Sequence, residues 1–182
     1  MKRWPKKWLL MGAFLVVIGG GSLFLFRVTT RSEAPAAAPK TVVQDTPDHE
    51  LKELEVQLQK KPGHTPVLMR MAQIEHDKGQ LDEAAGHLRE VIGNEPANSD
   101  AHLELGRILY EKGDVNGAIA ETNKAADANP KPVDALYNLG AIYANLGNPE
   151  RARSYWNRAV AADGSSESGR KARDGLSKLA GR

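Results

Sequence analysis

Three patterns of apolar and polar positions succeed one another along the chain, and each predicts a different structure. From Trp8 to Phe26 nineteen residues pass without a charge. As a helix rising about 1.5 Å per residue, that run spans roughly 28 Å, close to the hydrocarbon thickness of a bilayer. A buried core helix would keep some polar face over five turns, and this one has none. A cleaved signal peptide would have an apolar region of about 7–15 residues followed at once by a small-x-small site. Here Phe24, Leu25, Phe26 and Arg27 follow the glycines instead. The run therefore predicts a transmembrane anchor over residues 8–26, within an N-terminal segment 1–27. Residues 28–47 show no apolar periodicity and contain Pro35, Pro39 and Pro47, the composition of a disordered tether.

From residue 48 onward apolar residues recur at helical spacing, beginning with Leu51, Leu54 and Leu58 over 48–61. Superimposed on this is a repeat of 34 residues. Gly79, Gly113 and Gly147 keep that step, as do Ala84, Ala118 and Ala152. So do Ala72, Gly106 and Gly140, then Met71, Leu105 and Leu139, and finally Pro62, Pro96 and Pro130. A period of this length means stacked supersecondary units. Each unit reads as two helices with chemically sensible ends. Thr65 is expected to cap a helix starting at Pro66, Asn98 or Ser99 the next, and Pro132 to open the third. The glycine column ends each first helix, where a left-handed residue is needed. Asp114 and Asn148 cap the second helices. The small-residue columns let paired helices approach closely. Leu88, Leu105, Leu109, Ile119, Leu139, Tyr143 and Trp156 fill the space around them.

These residues resemble the tetratricopeptide-repeat (TPR) family, whose pattern runs Trp-x2-Leu-Gly-x2-Tyr, then Ala-x3-Phe, then Pro. The third unit follows it with Leu136, Leu139-Gly140, Tyr143, Ala152 and Trp156, with Gly164 in place of the proline. The second has Leu105-Gly106, Leu109, Ala118 and Pro130, with His102 and Thr122 at two bulky positions. The first has Leu68, Met71-Ala72, Ala84, Leu88 and Pro96, with Glu75 where an aromatic is usual. The resemblance implies an all-α, right-handed TPR α-solenoid of three repeats, 65–98, 99–132 and 133–166. A capping helix lies on each side of it, in 48–64 and 167–182, and one transmembrane helix precedes it. In the last segment Ala172, Leu176 and Leu179 share one side, as a terminal cap with a polar outer face requires.

Charge and composition narrow the function. Residues 1–27 hold five basic groups and no acidic ones, leaving 20 basic against 23 acidic groups in the rest. A nucleic-acid binder needs a clustered basic face, so no nucleic-acid partner is expected. Lys2, Arg3, Lys6 and Lys7 before the anchor, against Arg27 and Arg31 after it, predict a cytoplasmic N-terminus. That places the repeats outside the inner membrane, in the periplasm of a bacterium. The absence of cysteine excludes disulfides, thiolate nucleophiles and Cys-ligated metals. No phosphate loop, dinucleotide fingerprint or nucleophile elbow occurs. None of the five histidines pairs with another at i, i+4 as a helical metal site would. The chain is thus expected to be no enzyme and to hold no cofactor, metal or small-molecule substrate.

What a TPR solenoid offers is a concave groove lined by its first helices. Carried over by the resemblance, its groove positions are Arg70, Gln73, His76 and Asp77 in the first unit. The second supplies Leu103, Glu104, Arg107, Tyr110 and Glu111, and the third Tyr137, Asn138, Ala141, Ala144 and Asn145. Arg70, Arg107, Tyr110 and Tyr137 are expected to form a basic, aromatic centre within a rim of Asp77, Glu104 and Glu111. That centre would suit an extended peptide carrying a carboxylate. The set departs from the lysine and asparagine clamp of chaperone-binding TPRs. One anchor, a short tether and three repeats is a layout similar to that of the TPR subunits of bacterial c-type cytochrome maturation. It implies an assembly or biogenesis factor that binds a peptide or protein partner. The alternative is a structural organiser of a cell-envelope complex such as a pilus or secretion system.

Overall fold

A computed structural model describes residues 46–181. The expected membrane helix 8–26 and nearly all of the expected tether 28–47 lie outside the described residues. Among the described residues no helix is long and apolar enough to cross a membrane. All regular structure in them is helical: α1 (Pro47–Lys60), α2 (Thr65–Asp77), α3 (Leu81–Asn94), α4 (Ser99–Glu111), α5 (Val115–Ala128), α6 (Val133–Asn145), α7 (Pro149–Asp163) and α8 (Glu167–Ala180). Pairs α2–α3, α4–α5 and α6–α7 form hairpins, each packed on the next, with α1 against α2 and α8 against α6 and α7.

The three hairpin turns are built identically. Gly79, Gly113 and Gly147 have φ of 76°, 84° and 69°, where a side chain would strain the backbone. In the first turn Gly79 N–H donates to the His76 carbonyl at 2.8 Å and Gln80 N–H to the Glu75 carbonyl at 2.8 Å. Gly113 with Asp114, and Gly147 with Asn148, repeat both bonds. This doubly bonded stop satisfies carbonyls that the helix end would leave unpaired. Asp114 and Asn148 then cap α5 and α7, accepting from Gly117 N–H at 2.9 Å and Arg151 N–H at 3.1 Å.

Other ends differ from the sequence reading. Pro47, read as the end of the tether, is the first residue of α1, capped by Thr46. Helix α2 starts at Thr65 itself, preceded by His64, which makes no side-chain cap bond. The Thr65 hydroxyl instead donates to Glu95 at 2.5 Å, tying the start of α2 to the end of α3. At α4 the end is as expected: Asn98, of the two candidates, is the cap and accepts from Ala101 N–H at 2.9 Å. Pro132 precedes α6 rather than opening it.

Burial follows the small-residue columns. Ala84, Ala118 and Ala152 are fully buried, and Leu68, Leu88, Ile108 and Leu139 fill the space beside them. One core runs through α2 to α5, and a second, centred on Tyr143 and Trp156, joins α6 and α7 to Ala172 of α8. Leu54 of α1 packs with Val67, Met71 and Ile74. A Cβ on Gly140 would fall 2.3 Å from the Trp156 ring, and one on Gly175 would fall 2.8 Å from it. The indole is thus clasped between two glycines, and its Nε1 donates to the Tyr137 carbonyl at 3.1 Å.

Candidate partner-binding face

The first helices of the three hairpins, α2, α4 and α6, leave two hollows between neighbours. The first, about 320 Å³, has Ala72, Gln73 and His76 of α2 on one wall and Glu104 and Ile108 of α4 on the other. The second, about 140 Å³, has Gly106, Arg107 and Tyr110 of α4 facing Asn138 and Ile142 of α6. Moving each residue of the first set by 34 positions gives the second set, and the floor residues Leu88 and Thr122 obey the same step. The hollows are one place, built twice by the repeat.

Each gap is bridged at the same point. His76 Nε2 lies 2.9 Å from Oε2 of Glu111, and the Asn145 amide donates to the Tyr110 hydroxyl at 2.9 Å. Both bridges join a residue to a partner 35 positions on. They fix neighbouring first helices relative to one another at the end of the groove where the hairpins turn. Their chemistry differs, and so do the hollows. The first is acidic, with Asp100, Glu104 and Asp134 around it. Asp100 and Asp134 are themselves one repeat apart, each in the first turn of its helix. The second carries Arg107, Tyr110, Glu111, Asn138 and Asn145, with Ala141 and Ile142 as its apolar wall on α6.

The expected basic centre is not what these side chains make. Arg70 lines neither hollow: its guanidinium turns toward α1 and grips Glu50 at 2.6 and 2.9 Å. Arg107 lines the second hollow but pairs with Glu104 of its own helix at 2.8 Å. Tyr137 lines neither hollow. It sits one residue, about 100° of helical turn, from Asn138, and packs against the α6–α8 core. Gln73 spans to Asp77, donating at 2.9 Å. Leu103, Glu104, Glu111, Asn138 and Asn145 do line the hollows, as do Gln73, Arg107 and Tyr110. Asp100 and Asp134 were missed by the sequence reading, which placed Leu88 and Thr122 only as packing residues. The repeat step contained the signal for all four, because each pair is separated by 34 residues.

The polar residues at family core positions find partners to different extents. His102, 3% exposed, has Nδ1 2.6 Å from Glu121 and Nε2 3.0 Å from the Pro96 carbonyl. Burial pushes the Glu121 carboxyl up, but hydrogen bonds from Lys124 and His102 outweigh this and hold it below the usual range. The buried Thr122 hydroxyl donates to the Ala118 carbonyl at 2.7 Å, in the space that Gly106 leaves open. Glu75 and His87 occupy the positions that in the third repeat hold Tyr143 and Tyr155, whose rings stack at 5.5 Å. Among the described residues no three His, Asp or Glu side chains converge as a metal ion would require.

A repeat array with a preformed groove on its first helices is the class that this geometry defines. Residues 69–131 and 133–166 match two models of the tetratricopeptide repeat and belong to that family. Solved structures agree on the fold. The crystal structure of MamA is 20% identical, covering 73% of this chain and 84% of its own, with a TM-score of 0.62. A tetratricopeptide repeat protein from Parabacteroides merdae ATCC 43184 is 22% identical over 72% of this chain and 52% of its own, with a TM-score of 0.62. MamA 41-end from Desulfovibrio magneticus RS-1 is 18% identical over 66% and 68%, with a TM-score of 0.60. No curated protein matches the chain.

Proposed function

We propose that this chain is a membrane-tethered, non-enzymatic scaffold that binds an extended segment of a partner protein along α2, α4 and α6. The carrying observation is the pair of equivalent hollows on those helices, held in register by the His76–Glu111 and Tyr110–Asn145 bridges. A preformed groove spares a ligand much of the ordering cost of binding. The hollows also favour one kind of segment. Around the first stand Asp100, Glu104 and Asp134, with Arg107 paired to Glu104 and Lys171 acting on Asp134, and the surplus of carboxylates suits a lysine or arginine side chain. The second, smaller and with Ala141 and Ile142 on its α6 wall, suits a small apolar one. Neighbouring packed helices lie about 8–10 Å apart, and an extended chain rises about 3.3 Å per residue. The basic and apolar residues would then stand three apart.

The apolar run Trp8–Phe26 and its flanking charges support a tether in the inner membrane with the repeats outside the cytoplasm. The layout makes an assembly or biogenesis factor, capturing an unfolded client such as an apocytochrome c, the role to test first. Domain limits at residues 27, 47, 64, 98, 132 and 166 go with that reading. A phosphatase fused after Arg182 should be active and a cytoplasm-dependent reporter silent. The reverse would overturn the orientation. Purified chain should bind an unfolded client segment with affinity that falls as salt rises. Binding only to a folded envelope protein would favour the organiser instead.

A further inference from the structure

A second concavity, of about 480 Å³, opens between α1, α2 and α3. Its α2 residues, Met71 and Glu75, lie across the helix from Met69, Gln73 and His76 of the first hollow, given about 100° per residue. Leu58, Pro62 and Met71 give it apolar walls, and the exposed Glu55 and Glu90 stand at its rim. Glu75 lies in its depth at 7% exposure. Oε1 of Glu75 lies 3.2 Å from His87 Nε2, while Oε2 is buried without a hydrogen-bond partner. Lys78, whose charge also acts on Glu75, is held by Asp48 of α1.

The repeat itself shows that a carboxylate is not needed here for folding. One and two repeats on, Glu75 becomes Leu109 and Tyr143, and Tyr143 is packed under Tyr155. A buried acceptor left unmet is costly, and the alternative, an apolar side chain, is what the rest of the array uses. Burial holds the Glu75 carboxyl above the usual range, with His87 pulling the other way. A cation placed on Oε2 would relieve that penalty.

We propose that this cleft binds an alkylammonium or alkylguanidinium group, its head on Oε2 of Glu75 and its methylene stem along Leu58 and Met71. Long cationic side chains bury their stems on apolar surface in just this manner. The ligand is either a lysine or arginine side chain of a partner or a free amine.

The full-length chain, with amides of Met71, Glu75 and His87 followed by NMR, is titrated with n-butylammonium and, as neutral control, n-butanol. Saturable shifts with the amine alone are expected, with affinity falling about tenfold or more in Glu75→Gln. Glu55→Gln with Glu90→Gln, at exposed positions where folding is not at risk, should weaken binding severalfold. Asp100→Asn in the groove should leave it unchanged, so failure of the groove reading and failure of this one are separable. Tighter binding of N-acetyl-lysine N-methylamide than of butylammonium would mark a protein side chain as the ligand, and equal binding a free amine. Equal shifts with n-butanol, or shifts indifferent to both sets of variants, would overturn the proposal and leave a hydrated cleft.

Discussion

The Asn145 side chain donates a hydrogen bond to the Tyr110 hydroxyl at 2.9 Å, across the gap that His76 and Glu111 bridge one repeat earlier. Two chemically different pairs thus do one job, holding neighbouring first helices in register at the hairpin end of the groove. Tyr110→Phe and Asn145→Ala should each cost about 0.5–1.5 kcal/mol in urea unfolding, the net worth of one hydrogen bond. The double variant should cost little more than either single one. Additive costs would mean that the two side chains act separately.

Gly140 gives a sharper test of packing. Its missing side chain is the space in which the Trp156 indole lies, 2.3 Å from where a Cβ would be. Gly140→Ala should lower stability by about 1–3 kcal/mol, as overpacking does, despite alanine's better helix propensity. Adding Trp156→Leu should make the same glycine change nearly neutral. If Gly140→Ala raised the melting temperature, the indole would not be clasped as described.

Glu75 should give the chain a pH signature. Burial raises its folded-state carboxyl above the ordinary value of 4.5, against the pull of His87. The folded chain then holds that proton more tightly than the unfolded chain. The stability this provides is present at and below the ordinary value and is lost as pH rises through the raised one. Glu75→Gln removes the titration, so the variant should gain on the wild type between about pH 4 and neutrality in paired thermal melts. A gain that shrinks with rising pH would mean that the His87 ion pair outweighs burial.

Much of this was legible because the repeat writes each contact more than once. The glycine turns, the alanine column and the caps Asp114 and Asn148 follow from spacing and residue type alone. The groove helices did too, and Gln73, Leu103, Glu104, Arg107, Tyr110, Glu111, Asn138 and Asn145 line its hollows. What spacing could not supply was where long side chains turn. Arg70 has an acid on α1, Glu50, within reach, and Arg107 has Glu104 three residues back, so neither charge is free. Tyr137 belongs to the column of Leu103, but it packs against the core that contains Trp156 and Ala172. Local pairing decides such details, and a 34-residue register is silent on it.

The central claim is that the hollows along α2, α4 and α6 bind an extended segment with a basic residue at the acidic hollow. Panning a random-sequence peptide library on the full-length chain, then measuring the affinity of the enriched peptides, tests it most directly. Enriched sequences should carry lysine or arginine with a small apolar residue three positions away. Their affinity should fall about tenfold or more in Asp100→Asn with Asp134→Asn, in a chain that still melts cooperatively although two first-turn carboxylates are lost. Peptides without a basic residue, or an affinity untouched by the double variant in a stably folded chain, would contradict the account.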